Sequence, residues 1–85
     1  MESQIIVPRI SYDALIGVLP PSDLTNLDID ASMSRYDAML LAEVRNWYPN
    51  AKLGNSLVCD NADEQRDITY LAEHIFNAGE FWVTL

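Results

Sequence analysis

Two stretches with helical periodicity constrain this chain more than any other feature. From about Ala31 to Tyr48, the residues Met33, Tyr36, Leu40, Val44 and Trp47 fall on one stripe, with Leu41 and Tyr48 beside it. Arg35, Ala38, Ala42, Arg45 and Asn46 lie opposite, and Pro49-Asn50 closes the segment. From about Ala62 to Ala78, Ile68, Leu71, Ala72, Ile75 and Phe76 repeat at i, i+3, i+4, i+7 and i+8. Asn61 with Glu64 fits a capping box, and Gly79 stands where a left-handed C-cap belongs. A helix that is apolar along one stripe must bury it against another element.

The partners are short β-rich runs. Gln4 to Ile10 (QIIVPRI) reads as a strand, and Pro8, which has no N–H to donate, assigns it to a sheet edge or a strand end. Ser11 can cap a short helix with Tyr12, Leu15, Ile16 and Leu19 on its apolar face, weakened by Gly17 and ended by Pro20-Pro21. Ser22 to Leu27 reads as a polar turn or a single helical turn. Lys52 to Cys59 reads as a second strand or a small hairpin turning at Gly54-Asn55, and the final FWVTL as a third strand. The expected fold is one α+β domain over residues 1–85, with two long helices and one short N-terminal helix on a sheet of about three strands.

An 85-residue chain buries a modest core, and nothing staples this one. Cys59 is the single cysteine and His74 the single histidine, so neither an internal disulfide nor a His/Cys metal cluster is available. A lone cysteine fits a reducing compartment. The start MESQIIVPRI lacks the pattern of a signal peptide, and no apolar run approaches the roughly 20 residues that span a bilayer. A soluble protein of the cytoplasm is expected, the host cytoplasm if the source is viral.

Hydrophobic residues are 49% of the chain, which argues against disorder. Thirteen Asp and Glu face five Lys and Arg, a net charge of −8. That sign opposes direct binding to nucleic acid or an anionic membrane and favours basic proteins.

The acids form two groups. In NLDIDASMSRYD (Asn26 to Asp37), Asp28, Asp30, Ser32 and Ser34 alternate as the first ligands of an EF-hand would. Counted from Asp28, however, the sixth and twelfth positions hold Met33 and Met39 where Gly and a bidentate Glu are needed. A helix start accounts for more: Asp30, Ser32 or Ser34 can cap, Ser34 with Asp37 fits a capping box, and Asp28 and Asp30 sit near the positive helix end. The second group, VCDNADEQRD (Val58 to Asp67), carries Asp60, Asp63, Glu64 and Asp67 around Arg66. Its bland reading is a well-capped helix with a solvated face. Its sharper reading is a contact surface for a basic, Arg-rich partner, since Asp63, Asp67, Tyr70 and His74 share the face away from Ile68, Leu71 and Ile75.

Chemistry finds little support. A Cys59/His74 dyad lacks a flanking motif, and SLVC reads as an apolar strand holding an inert thiol. Gly17, Gly54 and Gly79 make no phosphate loop. No cofactor is implied. Phe81 and Trp82, as strand neighbours, would point to opposite faces, so one ring either meets the short helix or stands exposed as an interface anchor.

The function these features favour is a non-enzymatic protein-binding module docking on a basic, nucleic-acid-binding site of a larger protein or nucleoprotein. Its candidate contact residues are Asp60, Asp63, Glu64, Asp67, Tyr70, His74, Asp28, Asp30 and Trp82. Carboxylates one helical turn apart, such as Asp63 and Asp67, stand about 6 Å apart and can imitate phosphate spacing. In size, charge and lack of catalytic motif the chain is analogous to small viral inhibitors that mimic DNA, anti-CRISPR proteins among them. The alternative is a homodimeric or antitoxin-like assembly subunit that buries its apolar surplus in a constitutive interface.

Overall fold

The structure, a computed structural model, describes residues 4–17 and 26–85. Its elements are β1 (Ile6–Pro8), α1 (Tyr12–Ile16), α2 (Ile29–Trp47), β2 (Lys52–Gly54) and α3 (Ala62–Ala78). The class is α+β, as the periodicities predict. The expected features at Leu19, Pro20-Pro21 and residues 22–25 lie outside the described residues.

The helix ends follow from local chemistry. Ser11 caps α1 by accepting from the Ala14 N–H at 3.1 Å. Asn61 caps α3 by accepting from the Glu64 N–H at 2.9 Å, and Gly79 closes α3 at φ 71°. The Glu64 carboxylate reaches back to the Asp60 N–H at 2.8 Å, one residue beyond the capping-box partner that the sequence implies. α2 starts two residues earlier than the stripe predicts. Asp28 is its cap, accepting from the Ala31 N–H at 3.0 Å, in place of Asp30, Ser32 or Ser34. NLDIDASMSRYD is therefore largely helix. Asp37 does not close a capping box with Ser34 but accepts the Ile10 N–H at 2.9 Å, tying α2 to the end of β1.

The sheet is smaller than expected and differently ordered. β1 and β2 run parallel in the register Ile6↔Lys52, Val7↔Leu53, Pro8↔Gly54, joined by a crossover through α1 and α2. After Gly54 the chain turns and returns on the other flank of β1, where Ile6 and Val58 exchange both N–H···O bonds at 3.0 Å in an antiparallel bridge. β1 thus lies between two extended segments. Pro8 is accommodated because it is the last residue of the strand.

FWVTL is not a third strand. It contributes an isolated antiparallel bridge, Leu27↔Thr84, and lies along the start of α2, where the Asp28 N–H donates to the Val83 carbonyl at 2.8 Å. Because Phe81 follows a turn, the strand rule for its neighbour does not apply. Phe81 is fully buried, and Trp82 packs half-buried against it with ring centroids 4.8 Å apart. The core joins Ile5 and Val7 of β1, Leu15 of α1, Tyr36, Leu40 and Val44 of α2, Ile68 and Ile75 of α3, and Phe81. Tyr36 stands edge-on to Phe81 at 5.3 Å and to Phe76 at 6.1 Å, an arrangement that aromatic quadrupoles favour.

Candidate docking surface

α2 and α3 pack antiparallel. The Tyr36 hydroxyl donates to the Ala72 carbonyl at 3.3 Å midway along the pair, and the Tyr48 hydroxyl donates to Asp67 Oδ2 at 3.4 Å at the C-terminal end of α2. The N-terminus of α3 therefore lies beside the C-terminus of α2. The start of α2 lies at the far end of the pair, about 28 Å away for a 19-residue helix.

This geometry divides the residues singled out in the sequence. Asp28, Asp30 and Trp82 occupy the far end; Asp60, Asp63, Glu64 and Asp67 occupy the near end, with Tyr70 and His74 further along α3. They do not form one surface. Three of them also have structural work. Asp28 is a helix cap. Trp82 is half-buried against Phe81. Glu64 is only 7% exposed, with its carboxylate on the Asp60 N–H, so it faces inward and does not belong to an acidic contact face.

What remains at the near end is coherent. Asp60 and Asp63 are exposed and Asp67 is half-exposed. Asp63 meets Arg66 at 3.3 Å, with both side chains largely in solvent, so the pair holds neither residue firmly. Tyr70 is 66% exposed, and its ring stacks on His74 at 6.3 Å and 11°. Burial, and then the carboxylates Asp67, Glu64 and Asp63, push the Tyr48 hydroxyl above its ordinary ionisation range.

Trp47 completes this end. Its position on the stripe with Leu40 and Val44 predicts burial, yet it is 62% exposed. It is the last residue of α2, directly before Tyr48, at the end where α3 begins. The cue in the sequence is Pro49-Asn50, which places Trp47 in the final turn, where a stripe can run past its partner.

The fold separates the two residues of the candidate dyad. Cys59 precedes α3, its thiol directed to the Asn61 carbonyl at 3.6 Å, while His74 stands twelve residues into the helix, about 18 Å along its axis from Ala62. Among the described residues no group of three or more His, Cys, Asp or Glu is placed to hold a metal ion, and no helix is long and apolar enough to cross a membrane. No family model, curated protein or solved structure matches the chain.

Proposed function

We propose that this protein is a non-enzymatic docking module that seats the near end of its helix pair on a basic site of a larger protein. The single observation that carries the reading is the exposed indole of Trp47 at the end where Asp60, Asp63 and Asp67 gather. An exposed aromatic at an end that also carries carboxylates has the composition of an interaction hot spot, in which the ring supplies affinity and the charges supply steering and register. The net charge of −8 selects a cationic partner. A surface that normally holds a nucleic-acid backbone meets that requirement, and occupying it would make the protein an inhibitor of that binding, in the manner of a DNA mimic.

The experiment is capture of partners from a lysate of the source cell or its host at low salt, followed by a high-salt wash and repeated with Trp47→Ala and Asp63→Lys. The reading expects a basic protein that is released by salt and lost with both variants. A partner retained equally at low and high salt would count against it.

A constitutive assembly subunit is the second reading. Tyr12 and Ile16 favour it, since they are exposed on one face of α1, one turn apart. Sedimentation of the purified chain separates the two: a salt-insensitive dimer supports assembly, and a monomer supports docking.

A further inference from the structure

A hollow of about 470 Å³ opens between the last turn of α2 and the entry to β2. Gln4, Arg45, Asn50 and Lys52 supply its polar lining, and Ile5 and Pro49 an apolar strip. The chain has five Lys and Arg in all. Two of them line this one hollow, and among the described residues no Asp or Glu lines it. Of the other three, two act on acids, Arg66 on Asp63 and Arg9 on Asp37. Two cations around one concavity repel each other, and a bound anion relieves that repulsion.

The hollow is also pre-shaped. Arg45 Nε donates to the Ala51 carbonyl at 2.9 Å, which fixes the plane of the guanidinium and leaves its terminal amino groups as donors. Ala51 is buried and adjoins Lys52, so the segment that anchors Arg45 also carries the second cation. A planar fork beside an ammonium suits an oxyanion, the fork giving paired hydrogen bonds and the ammonium a point charge.

We propose that this hollow binds a phosphate group, free or carried as the monoester of a small polar molecule. Its volume lies in the range of small-molecule sites and exceeds what one phosphate fills, so the monoester fits as well. The hollow adjoins the docking end, since Arg45, Pro49 and Asn50 flank Trp47 and Tyr48, but binding of the anion needs no partner.

The test is an amide-detected NMR titration of the full chain with inorganic phosphate, and separately with a sugar phosphate, at ionic strength balanced by sodium chloride. Saturable shifts are expected at the Ala51 and Lys52 amides and at Arg45 Nε, with Arg45→Gln and Lys52→Gln each weakening binding about tenfold. Tighter binding of the sugar phosphate supports a carried phosphate, and equal binding supports the free ion. Lys52 is exposed, so Lys52→Gln leaves the fold intact, and it decides the matter if Arg45→Gln disturbs folding. Non-saturating shifts spread over the surface, or Lys52→Gln binding as well as the parent, would overturn the proposal.

Discussion

The Val83 N–H donates to Ser32 Oγ at 2.8 Å, at a site where Ser32 has no exposed surface. The same hydroxyl donates to the Asp28 carbonyl, also at 2.8 Å. One small side chain thus relays a hydrogen bond from the C-terminal segment into the first turn of α2. The tail's backbone bonds use the Trp82 and Leu85 N–H groups and the Val83 carbonyl, which leaves the Val83 N–H to Ser32, and a buried N–H without an acceptor is costly. Ser32 is what lets this segment lie against the helix while Phe81 fills the core.

Ser32→Ala should therefore destabilise the fold by about 1–3 kcal/mol, the cost of an unsatisfied buried donor. Urea unfolding measures the loss, and hydrogen exchange at the Val83 amide should quicken with it. An unchanged midpoint would show that the tail does not depend on this relay.

Asp37 gives the acid limb a defined sign. Burial pushes its carboxyl above the ordinary 3.8, against the opposing pulls of the Ile10 N–H and Arg9. The native state therefore holds this proton more tightly than the unfolded chain does. The resulting stability is fully present below pH 3.8 and is lost as pH rises through the native pKa. Asp37→Asn keeps an oxygen for the Ile10 N–H and removes the charge. Its stability relative to the parent should climb over the window that starts near pH 3.8 and then level off, as read by urea unfolding from pH 3 to 7. A relative stability that falls with pH over that window contradicts this assignment.

The alkaline limb involves Tyr36 and Tyr48. Burial and then Asp37 push the Tyr36 hydroxyl above 10.0, and burial followed by Asp67, Glu64 and Asp63 does the same to Tyr48. The native state disfavours both tyrosinates, so stability should fall as pH rises above 10.0 through the native values. Tyr48→Phe should make that fall shallower, measured by thermal unfolding between pH 9 and 11.5.

Gly54 pairs with Pro8 across the parallel ladder, where a Cβ would collide with Ile6 Cγ2. Gly54→Ala should cost about 1–3 kcal/mol by overpacking. Ile6→Ala removes the colliding methyl, so the same substitution should cost less in that background. Additive costs in the double-mutant cycle would place the strain elsewhere.

Trp47 and Trp82 should report different surroundings. Acrylamide should quench the fluorescence of the Trp82→Phe variant, which retains the exposed Trp47, far more than that of Trp47→Phe. Trp47→Ala should shift stability by no more than about 0.5 kcal/mol, as an exposed substitution does. Equal quenching of the two single-tryptophan variants would mean that Trp47 is covered, and with it the proposed anchor.

Much of the secondary structure is legible in the residues themselves. The bounds of α3, its Asn61 cap and the left-handed Gly79 follow from periodicity and from side chains within four residues of each helix end. The body of α2 is equally plain, while its cap is not: Asp28, Asp30, Ser32 and Ser34 are all competent, and contact with the distant Val83 selects among them. Of the candidate site, Asp60, Asp63, Asp67 and Tyr70 are legible as polar positions at and along α3, whereas the exposure of Trp47 is not, since its stripe position points to burial. Glu64 and Trp82 were misplaced because a capping carboxylate and a ring after a turn both depend on how the backbone closes around them.

The sequence by itself determined the α+β class, the two long helices and the excess of negative charge, because helix periodicity, capping and composition are properties of neighbouring residues. Only the tertiary structure decided that β1 runs between β2 and Val58, that the helices lie antiparallel, and that Trp47 shares an end with Asp60, Asp63 and Asp67 while Asp28 and Asp30 stand at the other. These relations join segments tens of residues apart. They are fixed by which apolar faces and backbone edges fill one another's space, and a local pattern of side chains carries no record of that choice.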